Sequence, residues 1–350
     1  MNARKLVTIR RIEAIRPIPG ADTIECATVG GWQVVVKKGE FRPGESGVYF
    51  EIDAFLPVAD DRFAFLAKHQ MTWRDKQGVR LHTMNLCGHI FQGLILPIGR
   101  FPEIVSRIAG KSVEVVREMD FSTLLGVEKW EAAAPASFSG EVVGPFPSWM
   151  RKTELERVQN LLPALHTQAD ELFEVSVKLN GTNMTVFHRN GELGVCGRDW
   201  QLAESQACAP WQVAKALRLT DALTTLGRNI ALQGEIVGEG IQGNPEHLCG
   251  QRFYVFDVFD IDRGTYLGRE QRGMVLDALR QSGAQIEMVP VIGIMDLRRF
   301  RGCVESVLDF AEGPSMNPRV AREGVVFKRL DGRFSFKAVA NSYLLKHQER

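Results

Sequence analysis

The chain has 350 residues, 43 Lys/Arg against 42 Asp/Glu, a formal net charge of +1, and 45% apolar, 24% charged and 9% aromatic side chains. That is the composition of a water-soluble globular protein long enough for two domains. The basic N-terminus has no apolar run long enough for a signal peptide, and no other stretch approaches the roughly 18 unbroken apolar residues of a membrane span. The near-zero net charge does not mark a nucleic-acid binder, so any polyanion site must be a local groove. From Lys5 to Pro57 the chain reads as β-strands, "KLVTIRRIEAIRPI", "IECATVGGWQVVVKKG" and "SGVYFEIDAFLP", separated by Gly, Pro and Asp, and "GHIFQGLILPIG" adds a strand pair around Gly93. Short strands with glycine punctuation and a charged face suit a small barrel, with the OB-fold as leading choice. Arg10, Arg11, Arg16, Lys37, Lys38 and Arg42 lie on or beside these strands.

A segment rich in Ala, Pro, Ser and Gly follows and reads as a linker, strongest over 128–147. In "RKTELERVQNLLPALHTQADE", Leu155, Val158, Leu161 and Leu162 have helical spacing, and Pro163 is expected to stop that helix. Beyond Phe173, strands alternate with helical patterns such as "APWQVAKALRLTDALTTLG" and "RGMVLDALRQSG". The fold class is therefore α+β, with two packed antiparallel sheets in the second half. The expected division is an OB-fold β-barrel over 1–120, a linker over 121–148 and a second domain over 149–350.

In "FEVSVKLNGTNMTVF", Glu174, Ser176 and Lys178 share one strand face, Asn180-Gly181 reads as a hairpin turn needing positive φ, and a second strand resumes at Thr185. Alone, a lysine at a hairpin mouth is an ordinary solvated charge. Five further segments change that reading by their order. "GVCGRDWQLAE" carries Arg198, "IALQGEIVGEG" carries Glu235, and "QRFYVFDVFDI" carries Phe256 and Asp257. "REGVVFKRL" carries Glu323, Val326 and Lys328, and "RFSFKAVANSYLLK" carries Lys337.

Taken in order, "KLNG", "QGEIVG", "FYVFD", "EGVVFK" and "FKAV" resemble the collinear motifs of the covalent nucleotidyltransferase superfamily of ATP-dependent ligases and capping enzymes. The N-terminal strands resemble tRNA-binding OB modules and the leading OB domains of one group of RNA ligases. With "RKTELERVQN" they together resemble the Deinococcus-type, nick-sealing ATP-dependent RNA ligases, over most of the chain. The resemblance implies an adenylyltransferase domain in which Lys178 is the nucleophile that becomes lysyl-AMP. It implies that Arg198 holds the ribose or phosphate, Lys337 the α-phosphate, and Phe256 and Val326 the two faces of adenine. Asn183 matches the RNA-ligase form KxxGTN and joins the ATP-binding set, and Lys328 is assigned to nucleic acid. Glu235 and Glu323 would serve a Mg²⁺ or Mn²⁺ ion, for which carboxylate and phosphate oxygens are suitable ligands.

The chemistry agrees with those residue types. A lysine with a reference pKa near 10.4 is neutral in only about one molecule in 10³ at pH 7, so the site must activate it. Phosphoryl transfer then relies on positioning and on cations around the phosphate. Several positions depart from the wider superfamily. Asn180 stands where many ligases have Asp, Val177 where some relatives read the base with a charge, and Val339 where many have a second lysine.

The implied activity is sealing of 3′-OH/5′-phosphate breaks in RNA, with nicked RNA or RNA-containing duplexes as partner, by a monomer. The alternatives are a DNA ligase or an mRNA guanylyltransferase of the same superfamily, and a non-catalytic RNA-binding relative. The first two carry an OB domain after the closing lysine motif, whereas about thirteen residues follow Lys337 here. The third is disfavoured by the presence of Lys178, Glu235 and Glu323. Six scattered cysteines without CxxC or metal-ligand spacing point to free thiols in a cytoplasmic setting.

Overall fold

The computed structural model describes residues 4–131 and 141–347, so part of the expected linker, 132–140, lies outside the described residues. The chain divides into two compact units, one gathering 2–132, 159–162 and 344–350, the other 133–158 and 163–343.

The first unit is built from short antiparallel strands. These are β1 (Val7–Arg11), β2 (Ala14–Pro17), β3 (Ile24–Val29), β4 (Trp32–Lys37), β5 (Ser46–Phe50), β6 (Ala54–Pro57), β7 (Met71–Trp73), β8 (Lys76–Arg80), β9 (Thr83–Leu86), β10 (His89–Gln92), β11 (Leu94–Pro97) and β12 (Glu128–Lys129). They form the ladders β1-β5-β11, β2-β3-β4, β12-β6-β8-β7 and β10-β9. Strand β5 shows why the sheets curl around a core. Its period of two sends Val48 and Phe50 into one apolar cluster with Leu56, Phe63 and Phe101, and Tyr49 into another with Trp32, Val34 and Ile95. This is the OB-type architecture expected from the sequence. Asn160 belongs to the same unit: it accepts from Trp32 Nε1 at 2.8 Å and from Arg10 at 3.1 Å, and donates to Glu51 at 2.9 Å. Arg10 is thus engaged within the unit, whereas Arg11, Arg16, Lys37, Lys38 and Arg42 are exposed.

The second unit holds two sheets. In the eight-stranded sheet the order is β13 (Val142–Pro145), β18 (Trp200–Leu202), β17 (Glu192–Cys196), β16 (Thr182–Arg189), β19 (Ile230–Gly238), β20 (Gln251–Asp260) and β21 (Thr265–Tyr266), with β22 (Glu287–Met288) beside β20. The five-stranded sheet runs β14 (Glu156–Arg157), β25 (Ser335–Val339), β24 (Gly324–Arg329), β15 (Leu172–Lys178) and β23 (Val291–Asp296). All pairs are antiparallel except β14/β25 and β20/β22. On the first sheet, Met184, Val186 and Leu232 pack in one core with residues of the helices Ala209–Ala216, Leu219–Leu226 and Arg269–Gln281. On the second, Phe173, Phe327 and Phe336 stack with Phe300 and Phe310.

Two local expectations are corrected. No single helix spans 155–162: Glu156–Arg157 is a strand paired with β25, Val158–Asn160 is one 3-10 turn, and the α-helix runs from Leu162 to Thr167. Pro163 therefore opens the helix, where its missing N–H costs nothing. Nor is the stretch around Lys178 a hairpin. β15 pairs with β23 and β24, and β16 with β17 and β19, so Leu179–Gly181 carries the chain from one sheet to the other. Both strands are buried on both faces, which demands a central place in each of two layers.

Candidate active site

The crossing from β15 to β16 fixes the geometry around Lys178. Register sets Lys178 opposite Gly324 on β24, and sets Val326 between Ser176 and Lys337. By strand alternation, Lys178, Val326, Lys328 and Lys337 share one face of the five-stranded sheet. In the other sheet Asn183 pairs with Glu235, and Thr185 with Gln233, so these four share a face as well. Lys328 ties the two together by an ion pair to Asp257 at 2.6 Å.

Lys178 Nζ lies 2.7 Å from Glu323 Oε2, with both side chains partly exposed. Glu235 stands within electrostatic reach of Lys178, Glu323 and Arg198. Crowding by protein atoms pushes its carboxyl up to about 7, and the nearby Glu323 charge adds to the rise; Lys178, Arg198 and the Gly181 N–H oppose it. Arg198 is exposed on the loop after β17, and Lys337 is half-buried on β25. Lys178, Arg198, Glu235 and Glu323 are thus brought together, with Lys337 one strand away.

Gly181 is required by space. A Cβ there would stand 2.3 Å from Ile236 O and 2.6 Å from Glu235 Cγ, while neither Asn180 nor Gly181 has positive φ. The glycine lets β19 pass close beneath the lysine's loop.

Phe256 owes its position to a β-bulge. Gln233 pairs with Asp257 and Gly234 with Val255, leaving Phe256 as the extra residue. Bulges re-aim side chains, and Phe256 emerges half-buried at the margin of an apolar cluster of Val177, Leu179, Val237, Tyr254 and Val289. Tyr254 is 4% exposed and belongs to that cluster's core.

Lys328, assigned from sequence to nucleic acid, is 7% exposed. Its ammonium is engaged by Asp257 and by the Phe256 carbonyl at 2.5 Å, and desolvation lowers its pKa. In this structure it does not face solvent; it pins the bulge that carries Phe256. Glu174, on the same strand as Lys178, is likewise internal, paired with buried Arg272 and with Arg269 at 3.2 Å.

Sequence reasoning did not single out Thr153 or Gln233. Asn183 Nδ2 donates to Thr153 Oγ1 at 2.9 Å, and Gln233 Nε2 to the Arg151 carbonyl at 2.8 Å. Residues 151–155 have no regular structure and hence no periodicity to read. The Gln233-x-Glu235 alternation was the only available signal.

Among the described residues no group of three or more His, Cys, Asp or Glu could hold a metal ion. The protein offers the two carboxylates Glu235 and Glu323. A hard divalent cation that fills its shell with phosphate oxygens and water fits that donor set.

An RNA ligase family model matches residues 171–339, and an OB-fold domain model matches residues 6–98. An RNA ligase from Naegleria gruberi, a lysine-to-alanine mutant with ATP and Mn, is 45% identical with a TM-score of 0.92, covering 99% of this chain and 100% of that one. The same enzyme with PPi, and as a lysine-to-methionine mutant with AMP and Mn, gives 46% identity and a TM-score of 0.93, again over 99% and 100%. The chain belongs to the ATP-dependent RNA ligases. Among curated proteins none matches it. The ligase's family match covers all the residues just described from Lys178 to Lys337 and leaves 151–155 outside it. No helix among its described residues is long and apolar enough to cross a membrane.

Proposed function

We propose that this ligase seals 3′-OH/5′-phosphate nicks in RNA-containing duplexes through lysyl-AMP and RNA-adenylate intermediates, with Lys178 as nucleophile. The observation that carries the reading is the 2.7 Å contact of Lys178 Nζ with Glu323, with Glu235 and Arg198 beside it. In the Naegleria enzyme, the lysine and glutamate replaced by alanine in two ATP- and Mn-bound forms stand apart by the same interval as Lys178 and Glu235. The glutamate and lysine replaced nearer its C-terminus are separated as Glu323 and Lys337 are. That enzyme also has an aspartate two residues after its lysine, where this chain has Asn180.

In the first step the Lys178 Nζ lone pair attacks the α-phosphorus of ATP, the bond to the β-phosphate oxygen breaks, and pyrophosphate leaves as Nζ loses its proton. The RNA 5′-phosphate oxygen then attacks the same phosphorus and breaks the P–N bond. Finally the RNA 3′-OH attacks the activated 5′-phosphate and AMP departs. Glu235 and Glu323 would hold a Mg²⁺ or Mn²⁺ ion, whose chemistry would be to neutralise phosphate charge. Arg198 and Lys337 supply cationic donors to phosphate oxygens in the chain's own right. Phe256, with Val326 opposite, holds adenine by stacking.

The exposed cations of the N-terminal unit support a duplex-gripping role for it. All six cysteines are free, which supports a reducing, cytoplasmic setting. The test is incubation with labelled ATP and a panel of nicked duplexes, single strands and DNA nicks. Preferential sealing of nicks that contain RNA is expected; equal sealing of all-DNA nicks would remove the RNA assignment of the substrate.

A further inference from the structure

Residues 151–153, "RKT", precede the "KLNG" motif and lie in no helix or strand, yet three separate residues of the eight-stranded sheet unit hold them. Thr153 Oγ1 accepts from Asn183 Nδ2 at 2.9 Å. The Arg151 carbonyl accepts from Gln233 Nε2 at 2.8 Å. Lys152 Nζ pairs at 2.6 Å with Asp199, the residue after Arg198. Asn183 is the direct cross-strand neighbour of Glu235, and Gln233 lies two residues from it on the same face. We propose that residues 151–153 form a strap that positions the nucleotide site, with Thr153 as the positioning residue for the Asn183 amide.

An amide has two unlike ends. Because Thr153 takes the NH₂ end, Asn183 presents its oxygen, and that oxygen is buried with no partner among the described residues. Gln233 is arranged in the same way: its NH₂ is tied to the strap and its Oε1 is buried without a partner among the described residues. Two amide acceptors are therefore held with their oxygens free, along a row that includes Glu235. Buried acceptors are ordinarily satisfied, so this row suits O–H donors that arrive with the nucleotide, a sugar hydroxyl or a cation-bound water. Without the threonine hydroxyl the amide is free to turn, and its NH₂ would meet such a donor with a donor. The Lys152–Asp199 pair fixes the strap's outer edge to the loop that carries Arg198. Thr153 touches no reacting atom; it acts through Asn183.

The inference rests on Lys178 as the adenylylated lysine, so the experiment carries a control for that reading. The full chain is tested for single-turnover self-labelling by ATP with Mn²⁺, as Thr153→Val, which keeps shape and loses the hydroxyl, and Thr153→Ser, which keeps the hydroxyl. Thr153→Val is expected to lower the rate at saturating ATP by about tenfold, the scale of one hydrogen bond, with apparent KM within about threefold and an unchanged melting temperature. Thr153→Ser is expected to stay within about twofold of the parent. A Thr153→Val variant that labels at the parent rate overturns the proposal, as does equal impairment of Val and Ser. Should Thr153→Val not fold, the exposed pair decides: Lys152→Glu is expected to slow labelling about threefold and Asp199→Lys in the same chain to restore it, whereas an unaffected Lys152→Glu overturns the strap. Labelling of a Lys178→Arg control would refute the site reading itself, whatever the strap variants do.

Discussion

Replacing Lys328 by Met should break the contact that pins Phe256 and should be costly. The lysine and Asp257 side chains are 9% and 10% exposed and 2.6 Å apart, and the same ammonium holds the Phe256 carbonyl at 2.5 Å. Methionine fills much of the volume but leaves Asp257 buried beside an apolar group. Removing one partner of a buried pair costs about 3–5 kcal/mol, most of it the stranded charge. The Phe256 carbonyl loses its donor as well, so the bulge can shift and ATP-dependent labelling should fall with stability. Urea unfolding of the second unit measures the first effect, and self-adenylylation against ATP concentration the second. Adding Asp257→Leu should recover most of the stability, because an apolar pair replaces a stranded charge, without restoring ATP affinity. If Lys328→Met instead keeps its stability and its labelling and loses only RNA binding, the lysine is a nucleic-acid contact and the structural reading fails.

Phe256→Ala should weaken ATP use about tenfold to a hundredfold through binding, as loss of about 1–3 kcal/mol of base stacking implies; unchanged nucleotide affinity in a folded variant would make the ring ordinary core. Glu235 carries its carboxyl at about 7 in the folded chain against an ordinary value of 4.5, so folding takes up a proton between those pH values. Stability of the metal-free protein should therefore fall as pH rises through that window, with the penalty complete above pH 7. Glu235→Gln should remove it and gain about 1–3 kcal/mol at pH 8 but little at pH 4, and equal gains at both would disprove the assignment. Gly181→Ala, with its Cβ driven against Ile236 O and Glu235 Cγ, should cost about 1–3 kcal/mol and slow adenylylation. Wild-type stability and rate would show that the loop has room.

The motif residues were legible in the sequence as an ordered set because each sits in a strand or loop with its own local signal. Lys178, Glu235, Glu323 and Lys337 end or interrupt apolar alternations, and their order survives in one dimension. What the sequence could not carry is which strands become neighbours. The KLNG stretch has every local mark of a hairpin, yet β15 and β16 enter different sheets, because pairing is decided by burial on both faces. For the same reason Gly181 looked like a turn glycine and is a glycine of close approach. Lys328 shows the limit most clearly: a lysine after Val-Phe reads as an edge charge, and only the facing sheet, with Asp257 on it, makes it internal. Val158 was read as part of one α-helical stripe with Leu155, Leu161 and Leu162, but it is fully buried and opens a separate 3-10 turn after a two-residue strand. In the first unit the strands from Lys5 to Pro57 were legible through their alternation. The helices Pro102–Ile108 and Val113–Glu118 were not, being too short to establish a period.

The most direct test of the account is to locate the adenylyl group. The protein is incubated with labelled ATP and Mn²⁺, digested, and the modified peptide is sequenced by mass spectrometry, with Lys178→Ala and Lys178→Arg alongside. AMP on Lys178, acid-labile as a phosphoramidate, and no label on either variant is the expected result, since a guanidinium stays protonated and cannot attack. AMP on any other residue, or a labelled Lys178→Arg protein, would contradict the account at its centre.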